Sequence, residues 1–137
     1  MSRPLVLASL AVVAAGVLAV GARAHAGHPS GWALQTIEAD RLKTVLDRGQ
    51  RVVIVDVRSP DEFKQGHIPG ARSLSLDESG DRFRELPRRE PVVLYCACPI
   101  SEIGPAYQFM RYSGFTNVFV LHGGLAEWLA RGYALEK

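Results

Sequence analysis

The sequence predicts an α/β fold in which a central, mostly parallel β-sheet is flanked by helices, and three observations carry that prediction. Val52-Val53-Ile54-Val55, Val92-Val93-Leu94-Tyr95 and Val118-Phe119-Val120-Leu121 are unbroken apolar runs rich in β-branched residues. Strands read this way when both faces of the sheet are covered, because no position along them meets water. Segments with helical apolar spacing separate these runs, and a strand-helix rhythm of this length is the pattern of parallel crossover units.

Taken in order, residues 36–47 open on Thr36 as a capping residue and place Ile37, Leu42, Val45 and Leu46 on one helical face, with Gly49 as the stop. After the first apolar run, Ser59-Pro60-Asp61-Glu62 has the form of a helix start. Ser59 is the N-cap, Pro60 takes the first helical position, and the acids meet the positive end of the helix dipole. Gly66 ends that short helix, His67-Ile68-Pro69-Gly70 turns the chain, and residues 71–76 supply a short strand. A brief helix over 81–86 is closed by Pro87. The second apolar run leads directly into Cys96, so its carboxyl end carries a thiol. Ile103, Ala106, Tyr107 and Met110 then recur at helical spacing up to Gly114, where the helix is capped. The third run is followed by Gly123-Gly124 and a last helix over 125–130 containing Trp128.

The N-terminus reads as an address. Arg3 precedes an uncharged apolar run over residues 4–20, followed by Ala22-Arg23-Ala24-His25-Ala26, the order of a secretory signal with cleavage after Ala24 or Ala26. The same run is near the lower length limit for a membrane anchor. The expected organisation is therefore a signal peptide or anchor over 1–24, a linker over 25–35 and one folded domain over 36–137. The expected location is periplasmic or otherwise extracytoplasmic, with membrane contact only if the segment is uncleaved. His25 and His28 read as solvated linker residues.

Charge and cysteine usage narrow the function. The 137-residue chain has a formal charge of +2, and without Arg3 and Arg23 it balances at 14 basic against 14 acidic residues. Such a balance gives no ground for a nucleic-acid partner. Cys96 and Cys98 are too close in sequence to staple distant parts of a fold, so they read as chemical. In open α/β sheets ligands sit beyond the carboxyl ends of the strands, and Cys96 falls there.

Three motifs then come into view. Val55-Asp56-Val57-Arg58-Ser59-Pro60-Asp61-Glu62-Phe63 with Gly66-His67-Ile68-Pro69-Gly70-Ala71, then Val93-Leu94-Tyr95-Cys96, and finally Leu121-His122-Gly123-Gly124-Leu125-Ala126-Glu127-Trp128 occur in that order. Together they resemble the rhodanese-like domains, and the resemblance runs from about Thr36 to Tyr133. It implies a sulfurtransferase fold in which Cys96 is the catalytic residue. There it accepts sulfane sulfur as a persulfide from a small donor and passes it to a thiophilic acceptor, with no metal or organic cofactor. A thiol between a strand end and a helix start faces backbone N–H groups and a positive dipole end, which favour a thiolate and an anionic persulfide.

The expected active-site loop is Cys96-Ala97-Cys98-Pro99-Ile100-Ser101-Glu102. It departs from the arginine-rich pattern of many active members. It contains no basic residue, Pro99 lacks an N–H, and Glu102 brings a negative charge to the place where thiosulfate would bind. High thiosulfate activity is therefore not expected, and phosphatase chemistry is disfavoured because Glu102 stands where that chemistry needs an arginine. Pro105 introduces an alternative helix start at Gly104-Pro105, which would weaken the dipole at Cys96. Asp56 and Arg58 are read as scaffold behind the loop, and His67 and His122 as turn residues. Two rival functions remain: thiol–disulfide redox work by Cys96 and Cys98, and a non-catalytic module that docks a protein partner or a soft metal ion on the two thiolates. A Cys96–Cys98 disulfide would close a small, strained and readily reduced ring.

Overall fold

In a computed structural model, residues 33–137 are described. The expected signal peptide or anchor, and His25 and His28 of the linker, lie outside these residues. Five strands and five helices follow one another: β1 (Thr36–Ile37), α1 (Ala39–Asp47), β2 (Val53–Asp56), α2 (Pro60–Gln65), β3 (Arg72–Ser73), α3 (Ser79–Arg82), β4 (Val92–Tyr95), α4 (Ile100–Tyr112), β5 (Val118–Leu121) and α5 (Gly124–Ala130). Short 3-10 turns flank α3 at Leu76–Glu78 and Phe83–Glu85. Among the described residues, no helix is long and apolar enough to cross a membrane.

The strands form one sheet in the order β1-β5-β4-β2-β3, with every pairing parallel. From β2 the chain moves outward to β3, then returns across the sheet to place β4 on the other side of β2. The reversal lies at the carboxyl ends of β2 and β4, the position where open α/β sheets bind ligands. The two outer strands are only two residues long, which limits the unpaired backbone available to a foreign strand.

Side-chain alternation splits the interior into two layers. Val53, Val55, Val92, Leu94, Val118 and Val120 point to one face and pack with Ile103, Ala106, Tyr107 and Met110 of α4 and with Phe83 and Leu86. Ile54, Val93, Tyr95 and Leu121 point to the other and pack with Ala39 and Leu42 of α1 and Leu125 and Trp128 of α5. Each large aliphatic side chain buried in this way contributes about 1.5–3 kcal/mol. The unbroken apolar runs are therefore explained: both faces of β2 and β4 are covered, and every residue of the two strands is buried.

Several elements depart from expectation. Thr36 does not cap α1. It pairs with Val120 in β1, while Ile37 pairs with Leu121, and α1 begins at Ala39 behind Glu38. Sheet pairing offers backbone partners that an isolated helical face cannot, so the tertiary contact outweighs the local helix signal. The helical stretch expected over 81–86 begins earlier, at Leu76, as successive short turns. The start of α2 is as expected. Ser59 Oγ accepts from the Glu62 N–H, the Glu62 side chain reaches back to the Ser59 N–H, and Pro60 follows the cap.

Candidate active site at the end of the fourth strand

Cys96 directly follows β4 and is 4% exposed, and its side chain belongs to the α4 layer. Its backbone is fixed from two sides: the Leu125 N–H donates to the Cys96 carbonyl oxygen at 2.9 Å, and the Val57 N–H donates to that of Tyr95 at 3.0 Å. Cys96 and Cys98 are joined as a disulfide, with Cα atoms 5.2 Å apart. The Cys98 N–H also points at Cys96 Sγ, 3.0 Å away.

The loop is shorter than expected. Only Cys96, Ala97, Cys98 and Pro99 lie outside regular structure, and Pro99 is the N-cap residue of α4. Ile100, Ser101 and Glu102 form the first turn of α4 instead of loop. The alternative start at Gly104-Pro105 is not adopted: α4 begins at Ile100 and Pro105 lies inside it. No side chain caps α4, so its positive end lies next to the cysteine pair. Glu102 occupies that same first turn, where a carboxylate is favoured by the dipole and competes with any anionic ligand for it.

Two cavities meet at the cysteines. One, of about 200 Å³, is walled by Pro99, Ile100, Ile103, Val120, Leu121 and the Gly123-Gly124 pair, a predominantly apolar surface. The other, of about 230 Å³, is bounded by Val57, Leu76, Ala97, Arg58, Glu62 and Glu102. Both contain Cys96 and Cys98. The loop sequence itself holds no basic residue. The structure brings Arg58 to the second cavity from the end of β2.

Arg58 is already committed. Its Nη2 donates to Asp56 Oδ2 at 2.6 Å and to the Gly66 carbonyl at 2.8 Å, and its Nε lies 3.0 and 3.1 Å from the two Asp56 oxygens. Asp56 is fully buried, accepts from the Tyr95 hydroxyl at 2.6 Å, and faces Tyr95 across the sheet. The Tyr95 hydroxyl in turn accepts the Ile68 N–H at 3.1 Å. Burial and then the bond to Asp56 push the Tyr95 phenol upward, and the bond to Asp56 raises the Arg58 guanidinium. Tyr95 of this network belongs to the α1/α5 layer and Cys96 to the α4 layer, while Arg58 reaches the cavity that Cys96 lines. Arg58 therefore reaches the second cavity with its charge already paired to Asp56.

His67 is buried, with Nδ1 3.0 Å from the Phe63 carbonyl and Nε2 3.2 Å from Glu136 Oε1. His122 lies 3.3 Å from Glu38. Each histidine thus has an acidic neighbour, yet neither lines the cavities beside Cys96. Among the described residues, no cluster of three or more His, Cys, Asp or Glu side chains is gathered to hold a metal ion.

A five-stranded parallel sheet with a disulfide-bonded cysteine pair at its topological switch point, next to the N-terminus of a long helix, defines an open α/β domain with a candidate site at the strand ends. The chain belongs to the rhodanese-like domain family, whose pattern matches residues 38–131. It is 33% identical over 86 residues to the thiosulfate sulfurtransferase GlpE of Pseudoalteromonas translucida, covering 63% of this chain and 80% of that protein. It is 31% identical over 96 residues to a sulfurtransferase of Allochromatium vinosum, covering 70% and 89%. Other relatives are longer: the match spans 62% of the uncharacterized protein YqhL of Bacillus subtilis and 24% of the probable adenylyltransferase/sulfurtransferase MoeZ of Mycobacterium tuberculosis. The crystal structure of the Alr3790 protein from Anabaena sp. superposes with a TM-score of 0.69 at 32% identity, over 73% of this chain and 81% of that one.

Proposed function

We propose that this protein is a sulfurtransferase in which Cys96 takes a sulfane sulfur from a small donor as a persulfide and hands it to a thiophilic acceptor. The observation that carries the reading is the place of Cys96, at the end of β4, next to the start of α4 and open to two cavities. A thiolate there is supported by the dipole end of α4, and a persulfide has room to project. The chemistry of the walls favours a neutral or weakly charged donor, such as an organic persulfide or polysulfide. Glu62 and Glu102 add negative charge to the second cavity while Arg58 is spent on Asp56, so a dianion such as thiosulfate meets repulsion. Reduced protein should transfer sulfur from an organic persulfide to cyanide or a thiol, and Cys96→Ser should not; a fully active Cys96→Ser variant would end this reading.

A second reading, thiol–disulfide exchange by Cys96 and Cys98, is favoured by the disulfide between them. It requires both thiols equally, whereas sulfur transfer requires only Cys96. We also propose that residues 1–24 direct export of a domain spanning residues 36–137. Protein recovered from the producing cell should then begin at His25 or Gly27, whereas an intact Met1 in the membrane fraction would identify an anchor.

A further inference from the structure

Cys98 is the feature of the site that simple sulfur transfer leaves unused. It is half-buried, lines both cavities with Cys96, and is bonded to Cys96. Its backbone is prepared for that contact. Pro99 restricts the residue before it to extended conformations, which removes much of the freedom Cys98 would otherwise lose on approaching Cys96. At the other end Cys96 is held through its carbonyl by Leu125. The three-residue unit is therefore held on both sides, and the two sulfurs are bonded between the end of β4 and the start of α4.

Resting on the sulfur-transfer reading above, we infer that Cys98 is a resolving thiol that turns the Cys96 persulfide into hydrosulfide, making the protein a dithiol-dependent sulfane reductase. In the first step the Cys96 thiolate attacks the outer sulfur of the donor. A new S–S bond forms on Cys96, and the donor's remainder leaves with the electron pair of the broken bond. In the second step Cys98 gives up its proton and its thiolate attacks Cys96 Sγ. The bond from Cys96 Sγ to the outer sulfur breaks, and that sulfur leaves with the electron pair and takes up the proton as hydrosulfide. The sulfane sulfur gains two electrons and the cysteine pair loses two, ending as the observed disulfide. A dithiol reductant then restores both thiols by exchange and becomes a disulfide itself. The outer sulfur leaves into space next to the cysteines, since both cavities are lined by the same sulfur pair.

The test uses an aryl thiosulfonate as donor, whose spent form is a sulfinate and not a thiol, so the spent donor cannot itself release hydrosulfide from the persulfide. The full chain is reduced, freed of reductant and mixed with this donor, then followed by intact mass and by sulfide assay. Wild-type protein should release one equivalent of hydrosulfide, retain no extra sulfur, end two hydrogens lighter, and continue only when a dithiol is added. Cys98→Ser, and Cys98→Ala as a second variant, should keep the sulfur they take up on Cys96 and release hydrosulfide more slowly by on the order of tenfold or more. Wild type that keeps its extra sulfur as long as the variants do overturns the inference and leaves sulfur transfer standing. If no form takes up sulfur from the thiosulfonate or from an organic persulfide, sulfur transfer itself falls and the resolving step with it.

Discussion

Gly124 and Cys96 are in such close backbone contact that a Cβ on Gly124 would stand 2.4 Å from the Cys96 carbonyl oxygen. Gly124 also has φ +56, a conformation costly for any residue with a side chain. The first turn of α5 thereby abuts the backbone of the cysteine that follows β4. Gly124→Ala should cost more than the roughly 1 kcal/mol of a left-handed residue alone, and should lower sulfur uptake at temperatures where the variant is still folded. Gly49→Ala is the matched control: Gly49 has φ +63 but nothing within 4 Å of its added Cβ. Chemical denaturation and sulfur uptake measured on both variants should separate them, and equal losses of uptake would remove the special role of Gly124.

The Asp56–Arg58–Tyr95 network makes a prediction about stability. Asp56→Asn leaves a guanidinium whose side chain is only 9% exposed without its charge partner. Removing one member of such a pair is expected to cost about 3–5 kcal/mol. Tyr95→Phe removes a hydroxyl that bonds Asp56 and the Ile68 N–H, for about 1–3 kcal/mol. Urea denaturation should rank Asp56→Asn below Tyr95→Phe below wild type; a neutral Asp56→Asn would show that the network is not a support of the fold.

How far the sequence could be read is clearest in these same residues. The three β-branched runs announced β2, β4 and β5 because a strand covered on both faces has no choice but to be apolar throughout, and Ser59-Pro60-Asp61-Glu62 announced α2 because a capping box is a local device. The short strand β1 was hidden, since Thr36 and Ile37 gain their partners from Val120 and Leu121, far along the chain. Arg58 was not legible as a wall of the cavity, and the Gly123-Gly124 pair was visible without its reasons, which are the approach of Gly124 to Cys96 and of Gly123 to the Glu127 side chain. The links of the C-terminal segment were equally unreadable: Tyr133 to Asp40 and Glu136 to His67 join residues 93 and 69 positions apart.

That C-terminal segment gives a pH dependence. The Gly70 N–H, and after it the His67 ring, hold the Glu136 carboxyl below its ordinary value of 4.5. A carboxyl depressed in the folded state stabilises fully above its unfolded value, and that contribution disappears as pH falls through the folded one. Wild type should therefore be more stable than Glu136→Gln above about pH 5, with the difference vanishing in stronger acid. Thermal melts of both proteins across this range supply the check, and a gap that widened in acid would have the wrong sign.

Donor selection should turn on Glu102. Replacing Glu102 with Gln removes a carboxylate from the first turn of α4 and from the wall of the second cavity. The KM for thiosulfate should fall, by about tenfold if relief of repulsion amounts to about 1.4 kcal/mol, while the KM for an organic persulfide changes little. Parallel steady-state assays with the two donors give the comparison, and an equal shift in both would assign Glu102 a structural role.

The central claim is that Cys96, and not its neighbour, receives the sulfur. The most direct measurement is to load reduced wild type, Cys96→Ser and Cys98→Ser with an organic persulfide, trap the products with an alkylating agent, and locate the added sulfur by peptide fragmentation. The account predicts an extra sulfur on Cys96 in the Cys98→Ser protein and none in Cys96→Ser. Sulfur found on Cys98, or carried equally well by Cys96→Ser, would contradict it.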